Sequence, residues 1–477
     1  MPTHLTTKLS FAASGTASGL LGTGLSYFLL LYYSQVLGLD PELTGLAMMI
    51  SLIFDAVSDP LIGRWSDRLK HRLGRRHPFL YASILPIALA YYLIWAPPAL
   101  SQAGLFVYLL VLAVTLRLAI TMHTVPFNAL LPEVTSDYDQ RTSLMNYSYS
   151  ASWFFGTAMT VAMYVWWLAD SPGQPAGSGL LRAEGYVEAG LVSAAIMSVC
   201  LGLAALGTRK FIPDLADPPA KSGSANSIWR EGAVTLADRN FGAMMISGLM
   251  ASAASGTSTA LWAYMQPYYW GFDSDQTSLI LFAQLSSAVI AFVITPALTR
   301  KRDKKPVLIG VSLLSMAVGS GPVMLSLAGW FPAYATDALF HSMVVLGVIQ
   351  VMLIVMTGVV TASMIADIVE SRAVATGRRE EGLLFSVLSF IGKVASGVGV
   401  WAGGIMLALI EFPTDTLTTD VSAEVITRLG WLYGPTLALF YALSIVALMF
   451  FRLDRETHLQ NLALLRNTPD PLTPNEA

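Results

Sequence analysis

Charge and cysteine are what this 477-residue sequence has least of. Only 12% of its residues are Asp, Glu, Lys or Arg, where soluble domains carry about 25%. Cys200 is the single cysteine, which excludes an internal disulfide, a cysteine-rich zinc site and an iron–sulfur cluster. His123 and His341 stand alone, without a Glu or second His at ligand spacing, and read as structural. No nucleophile–base pair or metal-ligand cluster is apparent, so a membrane-embedded enzyme is not expected. The basic cluster between Gly63 and Pro78 is confined to a loop at the membrane edge, which argues against a nucleic-acid partner. A cleaved signal is not expected either: residues 1–10 are polar, and the first apolar run is too long and glycine-rich for an h-region.

What remains is apolar. Hydrophobic residues make up 54% and mean hydropathy is +0.59. About 20 apolar residues cross a bilayer, and the apolar total suffices for roughly twelve crossings with short loops. They are expected near 10–37, 41–63, 78–98, 103–131, 143–168 and 187–207, then 241–270, 275–298, 306–328, 335–366, 382–410 and 431–451. The fold class is an all-α membrane protein of twelve helices. Residues 209–239 hold Pro213, Pro218, Pro219, Ser222, Gly223 and Ser224 with scattered charge, and read as a linker. The expected organisation is a six-helix bundle over 1–208, a cytoplasmic linker over 209–239, a second bundle over 240–452 and a polar tail over 453–477.

All but four of the 28 Lys and Arg residues fall in the tails, the linker and alternate loops. The exceptions are Arg182 and Arg428 in opposite loops, and Arg117 and Lys393 within crossings. Such asymmetry places both termini in the cytoplasm of a protein embedded in a bacterial inner membrane, expected as a monomer. The halves echo each other. Pro60 before a basic loop resembles Pro296 before Arg300-Lys301-Arg302, and Leu131-Pro132-Glu133-Val134 resembles Ala366-Asp367-Ile368-Val369. Both offsets are about half the chain, as parallel repeats facing a midplane site require.

The densest chemistry is Asp55-Ala56-Val57-Ser58-Asp59-Pro60, inside an apolar run. On a helix, Asp55, Ser58 and Asp59 share one face. Measured from the basic cluster that starts at Arg64, Asp59 lies about 7 Å into the apolar run and Asp55 about 13 Å. Burial and mutual repulsion both oppose ionising the pair. A proton, a buried Arg or Lys, or an oxygen-bound metal cation must compensate. The functional reading is a cation-coupling site; the bland one is a static ion pair, with Arg117 as its best candidate. Arg117, Thr121, Thr124 and Asn128 are spaced along one face of crossing 4. Thr121 can add an oxygen ligand for Na⁺, and Thr124 and Asn128 can bind a polar substrate. Lys393, with Ser389 one turn before it, lies too deep for easy snorkelling and reads as a coupling residue.

The run Gly63–Pro78 reads as a tight basic turn. Asp67, Arg68, Arg72 and Arg75 in it suit a cytoplasmic gate, with Glu133, Asp137, Asp367 and Glu370 as acidic partners in matching loops. The plain alternative is a topogenic loop. Tyr149 and Trp153, one turn apart, are pocket candidates, whereas the aromatic cluster Trp262–Trp270 reads first as an interfacial belt, with stacking on sugar faces as the alternative.

Asp55–Gly63, the Ser66-Asp67-Arg68…Gly74-Arg75-Arg76 loop, Val125-Pro126-Phe127 and Asp367-Ile368-Val369 together resemble the glycoside–pentoside–hexuronide:cation symporters of the major facilitator superfamily. The resemblance implies two six-helix bundles with alternating access. It matches Asp55, Ser58, Asp59 and Thr121 to a Na⁺ site and Lys393 to the lysine beside it. The sugar positions differ: Gly19 and Thr124 stand where the family has acids, Tyr149 where it has arginine, and Asn128 and Gly358 where it has tryptophan. Arg117 replaces a glycine. Symport of a sugar, glycoside or sugar acid with Na⁺, or else H⁺, is implied, with Gly19 joining the pocket and no cofactor. Lysolipid symporters share the cation motif, so an amphiphile is the alternative cargo, and a non-transporting sensor a remote one.

Overall fold

The structure is a computed structural model that describes residues 4–135, 137–214, 238–299, 302–376, 381–414, 417–418, 420–453, 456–457 and 460. Among the described residues there is no strand. The first six long helices are α1 (Leu5–Leu31), α2 (Pro41–Arg68), α3 (His77–Trp95), α4 (Gln102–Ala129), α5 (Tyr138–Ala162) and α6 (Ala183–Thr208). The second six are α7 (Arg239–Tyr264), α8, α9 (Lys304–Leu327), α10 (Asp337–Thr376), α11 (Glu381–Leu409) and α12 (Ala423–Met449). Helix α8 is broken at Leu285 into Ser274–Gln284 and Ser286–Thr299. Nine helices among the described residues are long and apolar enough to cross a bilayer, and α1, α5 and α7 are not among them.

Those three share a second feature. Each continues into a π turn at the same end of the molecule: Tyr32–Val36, Met163–Trp167 and Met265–Trp270. Such turns carry an extra residue per turn and widen the helix locally.

Local chemistry sets the helix starts. The side chains of Ser101, Asp137, Asp238, Asp273 and Ser422 each accept a first-turn backbone N–H, of Gly104, Gln140, Phe241, Gln276 and Val425 respectively. These caps satisfy donors that a helix leaves open. Helix α12 thus begins well before the expected 431, and Arg428 lies inside it, paired with Glu424 at 2.5 Å. Helix α10 runs unbroken to Thr376 because no Gly or Pro follows Gly358 within it. Most of the expected linker (215–237) and of the C-terminal tail (461–477) lies outside the described residues.

Packing within the first half joins α1 to α5 and α6, α2 to α4, and α3 to α4 and α6; the second half joins α7 to α11 and α12, and α9 to α10 and α12. The halves meet through α1 against α7, α2 against α11 and α5 against α8. Close approach depends on small residues. A Cβ on Gly15 or Gly19 would overlap the backbone carbonyl of Ser148 or Ser152 on α5. The run Ala251–Ser258 serves the same end, with Gly256 against the Ser396 backbone and the Thr257 hydroxyl donating to the Gly399 carbonyl at 2.8 Å.

One end of the interface is closed. Near the π turns, the Asp170 carboxylate accepts from the backbone N–H groups of Ser274 (2.9 Å), Gly177 (3.1 Å) and Gly179 (2.8 Å) and from the Ser178 hydroxyl (3.2 Å). Ser274 is the first residue of α8, so this carboxylate ties the first half to a helix N-terminus of the second, a favourable place for negative charge. Ser34 and Tyr264 join hydroxyls across the same seam, and Thr418 donates to the Ala176 carbonyl at 2.8 Å.

Candidate functional site

Pro60 lies inside α2 and has no N–H, so the helix loses one backbone bond just beside Asp55, Ser58 and Asp59. These three point toward α4 and α11. Thr121 of α4, 1% exposed, lies within hydrogen-bond distance of Asp55 Oδ1 (2.8 Å) and Asp59 Oδ1 (3.1 Å). One hydroxyl proton thus serves two carboxylates. Ser58 donates to the Asp55 carbonyl at 3.0 Å and stands 3.4 Å from Thr121 Oγ1.

The remaining carboxylate oxygens converge on α11. Lys393 Nζ lies 2.9 Å from Asp55 Oδ2 and 2.6 Å from Asp59 Oδ2. Arg117 Nη1 approaches Asp55 Oδ2 at 4.0 Å. Two carboxylates, one ammonium and one guanidinium make a formally neutral cluster, which is how a buried charge group becomes tolerable. The ammonium sits where a metal cation shared by the same oxygens would sit. The cluster also spans the two halves, since α2 and α4 belong to the first and α11 to the second.

At the end bearing the N-terminus, ion pairs among the described residues tie helices within each half. Glu133 Oε1 receives Arg75 at 2.6 Å and Arg76 at 3.2 Å, and Arg76 also pairs with Asp67 at 2.8 Å and donates to Ser66 at 3.0 Å. Asp367 receives Lys304 on both oxygens at 2.7 Å. Two expectations change here. Asp67 and Arg68 close helix α2 and Asp367 lies inside α10, so these residues sit on helices, not in loops. Asp137 is committed to capping α5, and Arg72 is exposed.

Two neighbouring cavities lie in the interior. The first, of about 310 Å³, is lined by Gly19, Thr23, Tyr149 and Trp153 on α1 and α5. The second, of about 140 Å³, is lined by Trp262, Gln266 and Gln350 among others. Tyr27 and Gln284 border both. The residues expected in the pocket divide: Gly19, Tyr149 and Trp153 line the first cavity, while Thr124, Asn128 and Ser389 line neither. Thr124 spends its hydroxyl on the Ile120 carbonyl at 3.0 Å, and Asn128 and Ser389 are exposed. The aromatic cluster is not a membrane belt. Tyr264, Gln266, Tyr268 and Trp270 are all at most 4% exposed; Tyr264 ends α7 and the other three lie in the π turn that follows it.

A model of the MFS/sugar transport protein family matches residues 10–455. The chain belongs to that family. It is accordingly a multi-pass membrane transporter, not an enzyme. Among family relatives, the sodium-dependent lysophosphatidylcholine symporter 1-A of Danio rerio is 23% identical over 96% of this chain and 88% of its own length. The isoprimeverose transporter of Lactiplantibacillus pentosus is 23% identical over 94% of this chain and 88% of its own. The fold is that of solved transporters: the xylose transporter XylE from E. coli, in a partially occluded inward open conformation, aligns with a TM-score of 0.60 at 12% identity, over 94% of this chain and 98% of that one.

Within this family fold the structure brings Asp55, Ser58, Asp59, Thr121, Lys393 and Arg117 into one cluster. Sequence reasoning passed over Arg76, 6% exposed at the centre of the basic cluster, and Lys304, hidden in a run of five basic residues. It also passed over Gln266, Gln284 and Gln350, which carry no charge and sit at no recognisable spacing.

Proposed function

We propose that this chain carries a sugar, glycoside or sugar acid together with Na⁺ by alternating access. The observation that carries the reading is the Lys393 ammonium held between Asp55 and Asp59. An entering Na⁺ competes with it for the same four carboxylate oxygens, with Thr121 and Ser58 as neutral oxygen ligands. Lys393 must then withdraw, and its freed charge turns toward the substrate space. Arg117 stays beside Asp55 and limits the net negative charge left for the cation. Cation and substrate binding are thereby linked through one side chain, as coupling requires. Asp67, Arg68, Arg72, Arg75, Glu133 and Asp367 serve the cytoplasmic gate.

Charge distribution along the chain puts both termini in the cytoplasm. With the opposite end closed by Asp170 and Ser274, the conformation is inward-facing. The cavities are lined mostly by apolar and aromatic side chains, and it is their small volumes, about 310 and 140 Å³, that favour a sugar over the lysolipid alternative.

The test needs no known substrate. Thermal unfolding of the purified protein is compared in NaCl, LiCl and choline chloride at matched ionic strength, beside Asp59→Asn. A Na⁺-specific rise that Asp59→Asn abolishes supports the reading. Stability that follows pH and ignores Na⁺ replaces Na⁺ with H⁺.

A further inference from the structure

Asp55 and Asp59 are met by two cations that act in different ways. Lys393 reaches both carboxylates, at 2.9 and 2.6 Å, and comes from the opposite half of the molecule. Arg117 stands on α4, one turn before Thr121 and in the same half as the aspartates. Its Nη1 stops 4.0 Å from Asp55 Oδ2, close enough for an ion pair and too far for a hydrogen bond. Arginine ordinarily grips a carboxylate through two short N–H bonds. Here it lends Asp55 a positive charge without using up an oxygen that a metal ion needs.

Ligand number and charge then give different answers about which ion fits. Once Lys393 withdraws, Asp55 and Asp59 offer their carboxylate oxygens, and Thr121 and Ser58 add hydroxyl oxygens beside them. That is a set of six, and Ca²⁺ takes about six to eight oxygens, so ligand number does not reject a divalent ion. Charge does. Two carboxylates carry two negative charges, and the guanidinium cancels one of them. A monovalent ion leaves the cluster neutral, whereas a divalent ion leaves a net positive charge beside Asp55, which is 5% exposed. An uncompensated buried charge is costly. Without the guanidinium the balance inverts, and the divalent ion is the one that neutralises the site.

We propose that Arg117 makes this site selective for a monovalent cation, as a fixed counter-charge that rejects divalent ions such as Ca²⁺. The inference rests on the reading of the cluster as a cation-coupling site. It gives the two basic residues separate tasks: the lysine yields its place to the cation, and the arginine sets how much charge that cation brings. Because α4 packs against α2 within one half, the counter-charge travels with the carboxylates and filters ions on both sides of the membrane.

The experiment measures melting of the full chain in sodium, calcium and choline chloride at matched ionic strength. Wild type is compared with the uncharged variants Arg117→Gln and Arg117→Met and with Arg117→Lys, each with and without Asp59→Asn. Wild type is expected to be stabilised by Na⁺ and not by Ca²⁺. A folded uncharged variant should bind Na⁺ tenfold or more tighter, since no neighbouring cation opposes the ion. It should also gain a Ca²⁺ shift that Asp59→Asn abolishes, and Arg117→Lys, which restores the charge, should reject Ca²⁺ again. Uncharged variants that answer Na⁺ and Ca²⁺ as wild type does overturn the proposal, as does a gained Ca²⁺ shift that survives Asp59→Asn. So does a Ca²⁺ shift, abolished by Asp59→Asn, in wild type or Arg117→Lys, the two proteins that keep the charge. Wild type that follows pH and ignores Na⁺, beside an uncharged variant that gains the Ca²⁺ shift, makes H⁺ the monovalent ion and leaves the role of Arg117 standing.

Discussion

Lys393→Ala separates the two things the ammonium does: it neutralises Asp55 and Asp59, and it occupies their cation position. Removing one partner of a fully buried ion pair costs about 3–5 kcal/mol. Here the side chains of Lys393 and Asp59 are 29% and 28% exposed, and Arg117 remains 4.0 Å from Asp55. Solvent and the guanidinium screen part of the loss, so about 2 kcal/mol is a reasonable figure. For a bundle of about 200 residues each kcal/mol moves the midpoint by roughly 2–4 °C. In choline chloride the variant should therefore melt several degrees below wild type. In NaCl the deficit should shrink, because Na⁺ no longer has to expel an ammonium; a ligand at 100 times its Kd adds about 2.7 kcal/mol. The Na⁺ shift should thus be larger in Lys393→Ala than in wild type, while Na⁺-driven uptake into vesicles is lost. Equal melting of the two proteins in choline, or an undiminished deficit in NaCl, refutes the competition between lysine and cation.

Thr121→Val removes the hydroxyl that serves both carboxylates; with a hydrogen bond to a charged group contributing about 1.5–3 kcal/mol, the Na⁺ affinity read from melting should fall roughly 10- to 100-fold. Gly19→Leu should cost more than about 1 kcal/mol and reduce folded yield, since its Cβ overlaps the Ser152 carbonyl. Gly22→Leu, three residues on with no atom within 4 Å of its Cβ position, should be recovered like wild type by size-exclusion chromatography. Asp170→Ala removes a carboxylate that accepts four hydrogen bonds at the closed seam. With Cys200 replaced and a cysteine placed at Ser34, a membrane-impermeant thiol reagent should label this variant faster than its Asp170 parent, and equal rates would count against the seam as the barrier.

The carboxylate face was readable because helical spacing alone sets Asp55, Ser58 and Asp59 together, and a charge in an apolar run announces itself. Lys393 was readable as a deep lysine, but its place between the two aspartates depends on α11 lying against α2, a pairing over 300 residues apart in sequence. Asp67 and Asp367 were put in loops because charged residues interrupt a hydropathy pattern; they remain helical because no glycine or proline follows Gly63 within α2 or Gly358 within α10. The burial of Gln266 and Tyr268 had no signal at all. Both lie within a π turn, where a pattern read at constant helical period misplaces side chains.

The three π turns bear on how fast the closed end can yield. They lie together, on α1, α5 and α7, beside the contacts of Ser34, Asp170 and Tyr264. A π turn relaxes to regular helix by shifting backbone bonds over five or six residues, leaving the packed core below it undisturbed. Opening of the seam is then a local rewinding on the microsecond-to-millisecond scale of helix shifts. Replacing one of the three turns with straight helix would then be expected to change how often the protein cycles before it changed what it carries.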